Sequence, residues 1–348
     1  MWSPMVRAAA VASEGRFSLA LGELEYDSPF SAILSYDPRL SQPWSRVDVE
    51  REIVDLTYRP FGQGEHVPAA LSNEGDVYTL VDVPVRDKIP GAGVLSDDAD
   101  GRGAVWRIVW GAGTCWVIGE SGQLWSNKGG TWTENGPVAP EFTHVDLASV
   151  GEHLVLLAQT RVRRPQIDYE AMTSPEAILE MMQVQIEEAE ANRPLGAVFA
   201  GLPGDWSRVA LDAAPNVSAL QAEPDGSIQI CGVAGLLLTG TLREGVTQVD
   251  LGGFLRSLRS VAGWGGHIWV TSDTGLHTVG SSALSTVSLD LPMFVNRGAP
   301  SPFGLRAAPD RLTYFDNLHD PHEWDGETWR SIPIPPVLRR REFVPGTL

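Results

Sequence analysis

Cysteine is nearly missing from this chain: Cys115 and Cys231 are the only two in 348 residues, and each sits inside an apolar run. Two isolated thiols argue against a disulfide framework or a cysteine metal site and fit buried, reduced side chains in a cytoplasmic protein. Long hydrophobic runs are lacking too. The N-terminal MWSPMVRAAAVASEGR holds only a short alanine-rich stretch, too brief for a signal-peptide core or a membrane span. Positive charge is in deficit, with 26 Lys and Arg against 44 Asp and Glu, a net charge of -18. So acidic a body repels phosphate backbones and anionic headgroups, which speaks against nucleic acid and membranes and for a basic protein partner. The seven histidines form no H-E-x-x-H or related zinc motif, and no G-x-S-x-G elbow, phosphate loop or dinucleotide fingerprint occurs. Asp98 and Asp100 before Gly101 are too short a match for a calcium loop. The sequence therefore nominates no catalytic residue, no metal and no cofactor.

What the chain has is punctuation. Its 36 Gly and 25 Pro are dispersed rather than clustered, as many short turns require. The clearest stretch runs from Trp106 to Trp132, WRIVWGAGTCWVIGESGQLWSNKGGTW, where four Val-, Ile- and Trp-rich runs alternate with glycine breaks. That is the pattern of a four-stranded antiparallel meander. One such sheet cannot cover both of its faces, so it needs neighbours.

The neighbours are legible. Fourth-strand marks begin at Trp44, Trp132, Trp206, Val246, Leu284 and Trp329, with intervals of 40, 38 and 45 residues after Trp206. These match the roughly 40 to 50 residues of a propeller blade. The 88-residue interval from Trp44 to Trp132 holds two units, with Ile53 to Pro90 as the weaker one. Tight turns into third strands recur at EGDVYTL, SGQLWSN, AGLLLTG and TGLHTVG. Units at about 5–50, 51–90, 103–137, 142–212, 216–252, 254–290 and 302–335 result, and the chain reads as one all-β domain over 1–348, a seven-bladed β-propeller. Six blades plus a capping sheet is the alternative, since the end units are the least regular.

The fourth unit breaks the period. From Trp132 to Trp206 is 74 residues, roughly 33 more than a blade needs. The excess, 163–194, contains SPEAILEMMQVQIEEAEA, in which Ser174 can cap a helix, Pro175 suits its first turn and Glu176 its positive end. Ile178, Met182 and Ile186 recur four apart against a glutamate-rich face, which predicts an amphipathic helix of about four turns.

Turns from second to third strands and links from fourth strands to the next blade share one face of such a disc, and the insertion belongs to it. So do Glu23, Glu25, Asp27, Glu74, Glu120, Asp273 and Asp320, with Asp97, Asp98 and Asp100 in the link after the second blade. Together with Met181, Met182, Glu180, Glu187, Glu188 and Glu190 of the helix, they form the candidate binding set for a basic partner. The blander reading, polar turns and a helix docked on the disc, uses the same residues. The tryptophans read first as packing: Trp44, Trp132, Trp206 and Trp329 recur at the blade period. Trp106, Trp110, Trp116 and Trp125 crowd one blade, where a sugar-stacking or protein-contact role is the alternative.

SNKGGTW (Ser126 to Trp132) and WDGETW (Trp324 to Trp329) resemble the glycine, threonine and tryptophan corner of kelch and Asp-box propeller repeats. A full Asp-box reads S-x-D-x-G-x-T-W; the first copy departs from it at the Asp and the second at the leading Ser. By form and charge the chain also resembles propeller-type immunity proteins of polymorphic toxin systems. That resemblance implies a cytoplasmic inhibitor whose acidic face and inserted helix occlude the active site of a basic toxin. The alternatives are a propeller hydrolase or lyase acting on a carbohydrate or small ester, and a scaffold subunit of a larger assembly.

Overall fold

In the computed structural model, seven four-stranded antiparallel sheets follow one another along the chain, each built from one uninterrupted stretch with its strands paired in sequence order. The structure describes residues 5–22, 29–61, 65–136, 138–161, 193–212, 214–280, 283–287, 289, 302–316 and 320–340, and within 162–192 only Ser174, Leu179, Gln183, Val184 and Glu187. The sheets are the blades of a seven-bladed propeller; the six-blade alternative is set aside by the seventh sheet, which is complete. Fourth strands begin at Trp44, Val85, Thr131, Asp205, Gly245, Leu284 and Trp329, so the marks read from the sequence fall in their expected strands.

The position of a strand in its blade explains its composition. Second strands lie inside the sheet with a neighbouring blade on either face, and so read as continuous apolar or small runs. Phe17–Gly22 and Thr114–Gly119 are buried at every residue. Fourth strands lie at the rim and turn polar, as in Thr131–Glu134, TWTE, where nothing is fully buried. Seven hydrophobic clusters fill the spaces between blades and hold both cysteines, buried and unpaired. Burial pushes the Cys115 thiol up to about 12 and the Cys231 thiol higher, so neither is a ready nucleophile.

The innermost strands are Met5–Val11, Ile53–Phe61, Val105–Gly111, Phe142–Val150, Val217–Ala222, Leu258–Trp264 and Pro302–Ala308. Each shifts register against its partner near its start. A bulge bends a strand and re-aims the next side chain; here the residues after it are Ala8, Asp55, Arg107, Asp146, Ala219, Ser260 and Gly304. Among the described residues no strand is exchanged between the ends of the chain, and side chains seal the joint between the last blade and the first. Phe17 meets Phe315 edge-on at 5.8 Å, the Arg306 Nε donates to Ala9 O at 3.0 Å, and Ile332, Ile334 and Leu338 pack into the core between blades 7 and 1.

Candidate functional site

Antiparallel order puts the second-to-third turns and the blade-to-blade links at one end of the strands. This is the insertion face. Glu74, Asp97, Asp98, Asp100, Glu120, Asp273 and Asp320 all lie on it, whereas Glu23, Glu25, Asp27, Glu180, Met181, Met182, Glu188 and Glu190 lie outside the described residues. In the insertion Leu179, Gln183, Val184 and Glu187 are helical and exposed, and the Gln183 amide donates to Glu187 at 2.8 Å, the i, i+4 spacing of one helix turn.

These acids do different work. Glu74 is only 9% exposed, and one of its oxygens accepts the successive main-chain N–H groups of Val94, Leu95 and Ser96 at 3.1, 2.9 and 2.9 Å. The Lys88 ammonium binds the same loop from below, donating to Glu74 O, to Ala92 O at 3.0 Å and to Ser96 Oγ at 3.2 Å. The loop they lock displays Val94 and Leu95 to solvent, beside exposed Asp97 and Asp98. Asp98 lies 3.5 Å from Lys88, and Asp100 pairs with Arg102 at 2.5 Å. Asp320 ties down the C-terminal strap, accepting from Ile334 N at 3.0 Å and Arg339 at 2.6 Å. Asp273 pairs with Arg256 at 2.9 Å, half in solvent, and Glu120 is exposed.

The face also carries apolar surface that composition could not place. Among the described residues eleven large hydrophobics are exposed, and seven of them are on this face: Val94, Leu95, Leu179, Val184, Leu195, Val233 and Leu255. Leu95 is 86% and Leu255 78% exposed. The turn bearing Val233 is rigid: Gly235, at φ +72, approaches Phe254 O so closely that a Cβ would come within 1.9 Å.

The axis of the propeller holds a second cluster, absent from the sequence-derived set. Asp55 and Asp146 flank Arg107, whose Nε meets Asp146 at 2.8 Å and whose Nη1 lies 3.4 Å from Asp55. Each aspartate also accepts a main-chain N–H from the next blade, Ile108 N to Asp55 and Leu220 N to Asp146, at 2.8 and 2.9 Å. Ser260 Oγ does the same for Leu305 N at 3.1 Å. Burial pushes the Asp55 carboxyl above the usual carboxylate range against the pull of Arg107 and Arg306. Burial and then repulsion from Arg107 hold Arg306 below its usual value. Asp55, Arg107 and Asp146 thus staple blades 2, 3, 4 and 5, while Arg306, within the field of both acids, binds Ala9 O of blade 1. A signal existed in the sequence: in the repeat alignment, charge recurs at one register of otherwise apolar inner strands.

On the opposite face a cleft of about 630 Å³ opens between blades 3 and 4, lined by Trp110, Ser149, Glu152, Leu202 and the Gly111–Gly113 turn. Trp110 is half-buried there, whereas Trp116 and Trp125 are core residues at 7% and 4% exposure. Trp132 is half-buried, and its indole N–H donates to Asp87 of the preceding blade at 2.9 Å.

No helix among the described residues is long and apolar enough to cross a membrane. Neither a protein-family model nor a curated protein matches the sequence. Solved structures match its shape. A catalytically inactive virginiamycin B lyase from Staphylococcus aureus, crystallised with quinupristin, is 9% identical at a TM-score of 0.59, over 91% of this chain and 93% of the lyase. YCF48 bound to D1 peptide is 11% identical, with a TM-score of 0.56 over 91% and 92% of the two chains. The WD40 propeller domain of Doa1 is 10% identical, with a TM-score of 0.53 over 91% of each. Likeness at these identities establishes the propeller fold, on which lyases and peptide-binding proteins alike are built.

Proposed function

We propose that this chain is a protein-binding propeller that captures a basic partner on its insertion face, and that it serves as an immunity or inhibitor protein, covering the active site of a basic toxin or enzyme. The observation that carries the reading is the grouping of seven exposed large hydrophobics with exposed Asp97, Asp98, Glu120 and Asp273 on that face. Apolar anchors hold a complex once formed, while acidic flanks speed the encounter with a basic surface. Anchors held rigid in the free protein lose little entropy on binding. Leu179, Val184 and Glu187, within the insertion between the second and third strands of blade 4, add exposed side chains to the same set. Two buried reduced cysteines favour a cytoplasmic home. The hydrolase or lyase reading gains less support, since the axial acids and arginines are engaged with one another.

The test is affinity capture from the native host, followed by binding measurements on the protein recovered. The partner should be basic, and its affinity should fall as salt rises. Leu95→Asp, or shortening 163–191 to a glycine turn, should abolish capture and leave the propeller folded. A partner that binds equally well to both variants and at any ionic strength would overturn the reading.

A further inference from the structure

At the mouth of the seam between blades 2 and 3, on the face opposite the insertion, one arginine stands without a counter-ion. Arg59 lies near the end of the first strand of blade 2, and its guanidinium carbon is 6.0 Å from the centre of the Trp110 ring, near the end of the first strand of blade 3. Among the described residues the Arg59 side chain makes no ion pair and no hydrogen bond, although acidic residues outnumber basic ones by 44 to 26 over the chain. Its Nε is buried and orphaned, whereas Nη1 and Nη2 are not, so the end of the fork is the part open to solvent. The Trp110 indole N–H likewise reaches the surface and has no acceptor among the described residues. Trp110 packs on the apolar cluster between the two blades, which fixes the ring over which the guanidinium rests. Phe61 follows Arg59 on the same side of the strand, in a stretch of the ladder without a bulge, and is 44% exposed.

We propose that Arg59 and Trp110 bind the carboxylate of a small molecule that carries an aromatic body. The unengaged polar groups of these two side chains are all donors, so the occupant must accept, and the cation selects an anion. The two Nη groups, side by side, match the two oxygens of a carboxylate, which makes the pair bidentate and charge-assisted. One cation in a chain of net charge -18 suits a monoanion, whereas a phosphate dianion would meet the field of the whole protein with a single counter-charge. The exposed Phe61 ring, two residues along the strand from the fork, offers a stacking contact for the body of the ligand. With Nε sunk into the seam and the guanidinium over the indole, the fork is in place before the ligand arrives and little side-chain freedom is lost on binding. The site lies at the opposite end of the strands from the insertion face, and neither proposal depends on the other.

The experiment is a titration of the intact, nitrogen-labelled protein with phenylacetate at fixed pH and ionic strength. It is read by the indole N–H signal of Trp110, identified by its loss in Trp110→Phe, and by the Nε–H signal of Arg59. Phenylacetamide, which has the ring without the charge, and acetate, which has the charge without the ring, serve as controls. Saturable shifts with phenylacetate are expected, none with phenylacetamide, and weaker binding of acetate. Arg59→Lys should bind phenylacetate at least ten-fold more weakly, because lysine keeps the charge and the aliphatic stem in the seam but has no fork. Absence of a saturable shift in the wild type, equal shifts from phenylacetamide, acetate binding as tightly as phenylacetate, or unchanged affinity in folded Arg59→Lys would each overturn the proposal. The first three outcomes need no variant, so the test stands even where Arg59→Lys fails to fold.

Discussion

The axial cluster makes a demanding prediction. Removing the Asp146 carboxylate by Asp146→Ala strips Arg107 of its 2.8 Å partner, leaving the longer 3.4 Å approach to Asp55, and deprives Leu220 N of its acceptor. Asp146 has 13% and Arg107 22% side-chain exposure, so water can replace little of what is lost. Breaking a buried ion pair from one side costs about 3 to 5 kcal/mol, and an orphaned buried N–H about 1 to 3 kcal/mol, the two overlapping here because one carboxylate serves both. A total loss of about 3 to 5 kcal/mol is expected. Asp146→Asn keeps an oxygen for Leu220 N and should lose less. Replacing Arg107 and Asp146 together by Met and Leu should recover part of the loss, because Asp55 and Arg306 then remain as opposite charges. Urea unfolding followed through tryptophan fluorescence measures all three variants, and a cycle with Arg107→Met isolates the coupling. If Asp146→Ala shifts stability by no more than about 0.5 kcal/mol, as exposed substitutions do, the cluster is not a staple and the account given of it is wrong.

Two further outcomes follow from other parts of the structure. Glu74→Ala should free the amides of Val94, Leu95 and Ser96, raising their hydrogen exchange by at least ten-fold while the blade cores stay protected; unchanged exchange would show that Lys88 alone holds the loop. Burial holds the His144 imidazole below its ordinary value, with Nδ1 at 3.0 Å from Gln123 O. The unfolded chain therefore takes up the proton first, so the stability from His144 is present above the ordinary value of about 6.5 and declines as pH falls through it towards the folded value. His277, lowered by burial in the same way, adds to the decline. Urea midpoints between pH 7.5 and 5 should fall more steeply in the wild type than in His144→Gln, and parallel profiles would refute this.

The sequence by itself determined the architecture. Glycine turns and Val-, Ile- and Trp-rich runs act within a few residues, and the 38 to 45 residue period repeats them, so blade boundaries and most strand positions could be read without any long-range information. The 74-residue interval placed the insertion between the second and third strands of blade 4 for the same reason. Which face each turn occupies also followed, because alternation of direction in an antiparallel sheet is fixed by strand order. Tertiary structure alone decided what each acid on that face does. Glu74 and Asp97 are equivalent as sequence, but three amides of a later loop converge on Glu74, while Asp97 stays in solvent. Leu95 and Leu255 could have been core by composition and are surface, because the links that carry them lie outside the strands and cover nothing. Asp55, Arg107, Asp146 and Arg306 meet only when four separate blades present their inner strands to one axis. Local physics set the repeat; closure of the ring set the chemistry.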